Sequence, residues 1–261
     1  MEKEDEAELA ILLANLRLEG RQQSGLDQRL APPDNDTAYR IAKMVEVQLG
    51  WRVGGWKIAG IKPEMQRALR TDTPIYGRVF EQHIVPSPAR FEFAELCSPI
   101  PEVEFQARLG MDLPPRDAPY HISEVTEAVE TLHPGIELAE CRFIYDEYFP
   151  SLPAVLADGA GSATLIYGPP IDNWKSVDIA FQEVSLYCNG KLRRSGSAKE
   201  ALEHPMIPLT WLTNELSRTR IGLKAGQMIS TGTMTGMLRP RAGQSYHADF
   251  GPLGTVSLKI N

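Results

Sequence analysis

Three glutamates form the pattern with the clearest chemical meaning in this sequence. Glu102 and Glu104 flank a valine, and on a strand two such side chains point to the same face. Carboxylates that close repel unless a cation or proton intervenes. Glu137 lies between Ile136 and Leu138, where an unpaired charge is costly to bury. The set would suit a hard ion such as Mg²⁺ or Mn²⁺, but by spacing alone an edge strand with a solvated acidic face explains it equally well.

Lys57 is the second chemical candidate. It follows Gly54, Gly55 and Trp56 in a segment that otherwise reads as an apolar strand. A buried lysine shifts its pKa readily and can act as an acid, a base or an anchor for a carboxylate. A lysine at a strand edge, with its ammonium group in solvent, would give the same pattern.

Other catalytic signatures are absent from the sequence. The 5 histidines show no H-x-x-x-H or H-E-x-x-H spacing, so zinc chemistry is not supported. The glycine-rich segments 159–162 and 231–236 fit neither a P-loop nor a dinucleotide fingerprint, and tight turns explain them better. There is no Gly-x-Ser-x-Gly motif of the kind that marks many serine hydrolases.

Composition restricts the classes of partner. The net charge of −7 argues against a nucleic acid, which requires clustered lysine and arginine. Cys97, Cys141 and Cys188 are widely spaced and odd in number, which is typical of reduced thiols in a cytoplasm. The first residues are acidic, unlike a secretory signal, and no apolar run approaches the ~18 residues of a membrane span. We therefore expect a cytoplasmic protein that does not interact with membranes.

Hydrophobic periodicity predicts the elements that must position these groups. Leucines at helical spacing predict a helix over residues 8–18, and a second apolar stripe predicts one over 38–49, capped by Asp36 or Thr37. We expect residues 1–50 to form an N-terminal helical region packed on a metal-binding catalytic domain of residues 51–261.

The remainder of the chain is predicted to be mainly β. The predicted strands are 53–58, 102–109, 136–143, 164–167 and 177–188, and Asn189-Gly190 is typical of a type I′ hairpin turn. Ser123 is predicted to cap a helix that extends through Leu132, and a later helix is expected to begin near Leu209. This mixture indicates an α+β fold on a twisted, largely antiparallel sheet.

At this point the sequence resembles the 2-keto-4-pentenoate hydratase and 4-oxalocrotonate decarboxylase family of the fumarylacetoacetate hydrolase superfamily. The resemblance covers nearly the whole chain, and it is the order and spacing of modest matches that make it specific. The matching segments are Gly55-Trp-Lys-Ile58, Asp72-Thr-Pro-Ile-Tyr-Gly77, Glu102-Val-Glu-Phe105, Ile136-Glu-Leu-Ala-Glu-Cys-Arg142, Leu156-Ala-Asp-Gly-Ala-Gly-Ser162, Ser195-Gly-Ser197, His204-Pro205, Trp211-Leu212, Leu223-Lys-Ala-Gly-Gln-Met-Ile-Ser-Thr-Gly232 and Ala248-Asp-Phe-Gly-Pro-Leu-Gly254.

The resemblance assigns roles by position. Glu102, Glu104 and Glu137 match the family's three metal-binding carboxylates, and Lys57 matches its active-site lysine. It further implies a catalytic role for Asp158 and substrate contacts for Arg142 and Ser162. The resemblance also implies a fumarylacetoacetate hydrolase-like core, twisted and barrel-like, with flanking helices. It implies in addition a homo-oligomer that associates with a related decarboxylase or hydratase.

Two departures from the family pattern concern proton and water placement. Ile75 stands where the family often has an acidic residue before the aromatic-glycine pair, and Gly159 replaces the usual asparagine after the aspartate. The metal ligands are retained, whereas the groups that place water around the substrate differ.

The resemblance implies a divalent-metal-dependent hydratase of 2-hydroxy-2,4-dienoates in aromatic catabolism. Decarboxylation of a vinylogous 2-oxo diacid shares the first half of that mechanism and is the alternative. Hydrolytic C–C cleavage of an acylpyruvate would require a histidine–carboxylate pair near the metal, with His83 as a candidate base. The alternative that is not an enzyme is a non-catalytic partner subunit that keeps the fold.

Overall fold

The computed structural model describes residues 1–261 and contains seven α-helices and twelve strands. The helices are α1 (Lys3–Leu18), α2 (Asn35–Leu49), α3 (Pro63–Leu69), α4 (Ile122–Ala128), α5 (Leu152–Ala157), α6 (Ala198–Leu202) and α7 (Met206–Arg218). The strands are β1 (Val53–Ala59), β2 (Ile75–Phe80), β3 (Ile84–Pro86), β4 (Ala89–Phe91), β5 (Ile100–Leu109), β6 (Val129–Ala139), β7 (Thr164–Tyr167), β8 (Glu183–Cys188), β9 (Lys191–Ser197), β10 (Met228–Ser230), β11 (Ser245–Asp249) and β12 (Thr255–Ile260). No helix is both long enough and apolar enough to cross a bilayer.

Two sheets form the centre of the molecule. The larger has seven strands in the order β2-β1-β10-β5-β6-β7-β3, and the smaller has five in the order β4-β12-β11-β8-β9. Most neighbouring strands are antiparallel, and the exceptions are β1–β10, β3–β7 and β4–β12. The predicted α+β fold with a largely antiparallel core is therefore confirmed.

Apolar side chains from both sheets form the main core. The rings of Phe105 on β5 and Phe250, next to β11, lie 5.3 Å apart and both are fully buried. A second buried cluster joins α1, α2 and α5 through Leu9, Leu13 and Ile41 among others. The division into a helical region of residues 1–50 and a catalytic domain of 51–261 stays a prediction.

The structure corrects the predicted helix after Ser123. Helix α4 begins earlier, at Ile122, where the His121 amide donates to the Glu124 carboxylate at 2.9 Å. It ends at Ala128, and Leu132 belongs to β6. A short apolar run fits both the helical and the strand period, and pairing with β5 decides the matter here.

Other boundaries also differ from the prediction. Strand β8 begins at Glu183 rather than residue 177, because a 3-10 turn ends at Ser176 and a loop follows. The α2 cap is Asp34, whose side chain accepts from the Thr37 amide at 2.7 Å. Helix α7 begins at Met206 despite Pro208, since proline is tolerated in a first turn.

Candidate metal centre

The three glutamates meet where β5 pairs with β6. Glu102 lies directly opposite Glu137 in the antiparallel register, and Glu104 is two residues further along β5 on the same face. One carboxylate oxygen from each lies within 4.8 Å of the others, and all three side chains are buried. This is not the solvated acidic edge that the spacing also allowed.

The partners of these carboxylates differ. Glu104 Oε2 accepts from the Ser230 hydroxyl at 2.6 Å and from the Gly232 amide at 2.7 Å. Neither oxygen of Glu137 has a hydrogen-bond partner, although the residue is 0% exposed. A buried carboxylate without a partner is costly, and a cation bound by its oxygens would offset that cost.

Lys57 provides a single positive charge beside the trio. Its Nζ lies 3.8 Å from Glu137 Oε1, too far for a hydrogen bond, and both side chains are almost fully buried. Three carboxylates and one ammonium leave two negative charges without compensation when all are ionised. A divalent cation would neutralise them, and an all-oxygen donor set suits Mg²⁺ or Mn²⁺.

Burial perturbs the ionisation of all three carboxyl groups. It raises the pKa of Glu102 to about 8, with the nearby Glu137 charge as the next cause. The pKa of Glu104 is raised well above its usual range by burial and then by Glu137. Burial also raises the pKa of Glu137, against the opposing effect of Lys57. The protein alone therefore does not stabilise three ionised carboxylates here, as a cation would.

Close backbone contacts place Lys57 at the centre. It lies on β1, which pairs in parallel with β10 and antiparallel with β2, opposite Gly77. A Cβ at Gly77 would lie 1.9 Å from the Gly159 carbonyl oxygen, so only glycine permits this approach of the 158–162 loop. A Cβ at Gly161 in the same loop would lie 3.8 Å from Lys57 Nζ.

The centre opens into one large cavity of about 850 Å³. Lys57, Glu102 and Glu104 line it together with Gly161 and Thr233. Of its 29 lining residues, 17 are hydrophobic, so a ligand enters surroundings that are largely apolar beyond the carboxylates. This combination of an apolar wall and a few convergent charged groups is typical of a small-molecule site.

Arg142, Asp158 and Ser162 are brought together, but they do not line this cavity. The Asp158 carboxylate accepts from the Arg142 amide at 2.8 Å and from its Nε at 3.0 Å. The Ser162 hydroxyl donates to the Arg78 carbonyl at 2.6 Å. In this structure the three residues hold the 158–162 loop behind Lys57, and their catalytic or substrate-binding roles stay predictions.

Comparison with known proteins gives the context of this site. No family model matches the chain. It is 25% identical over 251 residues to "2-keto-4-pentenoate hydratase 1" of Dechloromonas aromatica, covering 95% of this chain and 94% of that protein. It is 27% identical over 211 residues to "4-oxalocrotonate decarboxylase" of Pseudomonas putida, covering 79% and 78%. The chain is a relative of these hydratases and decarboxylases.

Solved structures agree on the fold. The chain superposes with a TM-score of 0.91 on the 4-oxalocrotonate decarboxylase from Pseudomonas putida G7 complexed with magnesium and adipate. The two are 22% identical, and the superposition covers 100% of this chain and 99% of the decarboxylase chain. Fumarylacetoacetate hydrolase from Exiguobacterium antarcticum gives a TM-score of 0.58 at 16% identity, covering 81% and 76%. A fumarylpyruvate hydrolase from Pseudomonas aeruginosa in complex with Mn²⁺ and pyruvate gives 0.55 at 15% identity, covering 78% and 88%. The fold is that of the fumarylacetoacetate hydrolase superfamily.

Sequence reasoning missed two contributors to the site. Arg17, on α1, donates to the Asp158 carbonyl at 2.6 Å and to the Ser162 carbonyl at 3.1 Å, so the first helix fixes the loop behind Lys57. The sequence interpretation gives residues 231–236 only as a turn, yet the Gly232 amide in this segment and the preceding Ser230 hydroxyl hold Glu104. The dense threonines and glycines of that segment were the available signal, whereas nothing local marked Arg17.

Proposed function

We propose that this protein is a divalent-metal-dependent hydratase that adds water to a 2-hydroxy-2,4-dienoate of the 2-keto-4-pentenoate type, in the breakdown of aromatic compounds. The buried carboxylate trio carries this proposal, since Glu102 and Glu104 line the cavity and the neighbouring Glu137 has two buried oxygens without a hydrogen-bond partner. The names of the relatives support the same class of small oxo-acid substrate.

Glu102, Glu104 and Glu137 would hold the ion. Bound there, Mg²⁺ or Mn²⁺ would supply a Lewis acid for the carboxylate and C2 oxygen of the substrate. The Ser230 hydroxyl and the Gly232 amide fix the orientation of the Glu104 carboxylate within this donor set.

Lys57 is positioned to handle the proton of the keto–enol step. Its Nζ lies at the base of the cavity, held by the Glu137 carboxylate on one side and the 158–162 loop on the other. The ammonium group would deliver a proton to the dienol carbon, and the resulting amine would accept a proton from the attacking water.

Decarboxylation of a vinylogous 2-oxo diacid is the second candidate, and Ile75 favours it. Ile75 lines the cavity and is 5% exposed, so this wall offers no carboxyl group to activate water. The one cavity carboxylate outside the trio, Glu64, is exposed and pairs with Lys62 at 4.0 Å. Loss of CO₂ needs no activated water, whereas hydration here would depend on Lys57 alone.

The structure does not favour the acylpyruvate hydrolase alternative. His83 lies against Trp51, with ring centres 5.4 Å apart, and it does not line the cavity. Burial lowers the pKa of His83 to about 4, and it forms no ion pair with a carboxylate. The histidine–carboxylate pair on which that alternative depends is therefore missing.

One assay separates the two leading activities. The purified protein is incubated with Mg²⁺ or Mn²⁺ and either 2-hydroxypenta-2,4-dienoate or 2-oxohex-3-enedioate, and ultraviolet absorbance and CO₂ are recorded together. Loss of absorbance without CO₂ identifies a hydratase, and release of CO₂ identifies a decarboxylase. Turnover that is unchanged in Glu102→Gln would refute metal catalysis, and Glu64→Gln, at the cavity rim, is the matched control.

We also propose a homo-oligomer that can associate with a related hydratase or decarboxylase. Large apolar side chains are exposed on the single chain, including Tyr148 at 65%, Phe181 at 62% and Leu192 at 56%. Burying such groups between subunits would be favourable. Light scattering on the purified protein gives the number of subunits, and a monomer at micromolar concentration would refute the proposal.

A further inference from the structure

The cavity is far larger than the smallest substrate of the proposed reaction. Its volume, part of which is open to solvent, is about 850 Å³, whereas 2-hydroxypenta-2,4-dienoate has about eight non-hydrogen atoms and needs less than about 240 Å³ even if each atom took the space of a liquid water molecule, about 30 Å³. The carboxylate and C2 oxygen of any such acid must lie beside the glutamate trio. The unused volume therefore surrounds the opposite end of the substrate.

The walls around that end are apolar. Leu69 and Ile75 converge above Gly60, where an added Cβ would lie 3.3 Å from the first and 3.9 Å from the second. The other apolar lining residues include Leu152 and Val155 of α5, together with Ile61, Ala160, Met234 and Met237 from neighbouring segments. An ionised group placed among these side chains would lose its hydration without a partner.

The cationic residues of the lining lie at the base and at the rim. Lys57, at the base, is paired electrostatically with Glu137 of the trio. Lys62 and Arg70 lie near the two ends of α3, where the Lys62 side chain is 43% exposed and paired with Glu64 and Arg70 is exposed. Apart from Lys57, a second carboxylate would therefore meet a cation only at these solvent-accessible positions of the lining.

An aromatic pair borders the same space. The rings of Tyr145 and Phe149 stack with centres 4.7 Å apart and an angle of 22°, and both residues line the cavity. The Arg239 guanidinium lies 5.1 Å from the Tyr145 ring, which connects this pair to the segment after Met237. Stacked rings offer a flat apolar surface suited to a planar apolar group.

We propose that this cavity selects 2-oxo or 2-hydroxydienoic acids with a bulky apolar substituent, such as a phenyl ring, at the end remote from the carboxylate. The inference rests on the proposed function and specifies the tail of its substrate. Within the proposed substrate class, it predicts a preference for such a tail over the unsubstituted five-carbon acid and over a diacid.

Binding of unreactive acids tests this inference independently of turnover. Calorimetry with the Mg²⁺-loaded protein compares 2-oxopentanoate, 2-oxo-5-phenylpentanoate and 2-oxohexanedioate, which share the chelating end and differ in the tail. Burial of a phenyl ring should make the phenyl acid bind about 10- to 100-fold more tightly than either of the others. Equal affinities, tighter binding of the diacid, or no binding of any of the three acids would overturn the inference.

Two variants locate the tail. Phe149→Ala should reduce the affinity for the phenyl acid about tenfold and leave that for 2-oxopentanoate unchanged, with Phe93→Ala, a partly exposed aromatic residue outside the cavity lining, as control. Leu69→Arg should shift the preference toward 2-oxohexanedioate, and unchanged selectivity in both variants would contradict this location. If the phenyl acid binds most tightly but no dienoate is turned over, the proposed function fails while the inference stands.

Discussion

Replacement of Glu137 by glutamine should affect the metal-free and the metal-loaded protein in opposite directions. Both Glu137 oxygens are buried without hydrogen-bond partners, and the residue faces Glu102 across the β5–β6 pair. Glutamine has nearly the same shape but no charge. We expect Glu137→Gln to raise the stability of the metal-free protein at neutral pH and to abolish the stabilisation produced by Mg²⁺.

The magnitudes follow from the carboxyl pKa values. The pKa of Glu102 rises from 4.5 to about 8 on folding, so between these values the folded state holds a proton that the unfolded state has lost. Stability of the metal-free protein therefore falls as the pH rises through this window, by about 3 kcal/mol at pH 7 for this group. Burial is the larger cause and Glu137 the second, so its removal should recover about 1 kcal/mol.

Thermal unfolding with and without Mg²⁺ tests both effects. At a metal concentration about 100 times Kd, the wild type should gain about 2.7 kcal/mol, a rise of about 5–10 °C in Tm for a chain of this size. Glu137→Gln should show a rise below about 1 °C. Glu130→Gln, an exposed position on the same strand, is the control. A full Mg²⁺ response in Glu137→Gln would refute the assignment of this ligand.

Three further outcomes are expected. The apparent affinity for Mg²⁺, measured by calorimetry, should increase from about pH 6 to about pH 8.5, because protons on the raised-pKa trio compete with the metal; a flat profile would contradict this. Asp158→Asn should lower the free energy of unfolding in urea by about 3 kcal/mol, because the buried positive charge of Arg142 loses its carboxylate partner. As a control, Asp172→Asn at an exposed position should change it by less than about 0.5 kcal/mol. Gly77→Ala should destabilise by at least about 1–3 kcal/mol through contact with the Gly159 carbonyl, and wild-type stability would show that the loop can retreat.

Local periodicity predicted much of the scaffold correctly. The leucine spacing of α1, the hairpin turn at Asn189-Gly190 and the strand that carries Glu102 depend on interactions within a few residues, and all three are present. Prediction failed for the segment after Ser123, where α4 stops at Ala128 and β6 follows without a break. The apolar residues there satisfy both periods, and pairing with a distant strand decides between them.

Glu102 and Glu104 could be placed on one face from the amino-acid sequence, because strand side chains alternate with a period of two. It also supplied Lys57 within an apolar segment, and the ordered family motifs gave both residues a chemical role. The position of Glu137 opposite Glu102 required the folded chain, since the register between these strands depends on pairing across a long connection. Packing of α1 likewise brought Arg17 to the loop behind Lys57. Residue type and period act locally, whereas the convergence that makes a metal centre depends on contacts between distant parts of the chain.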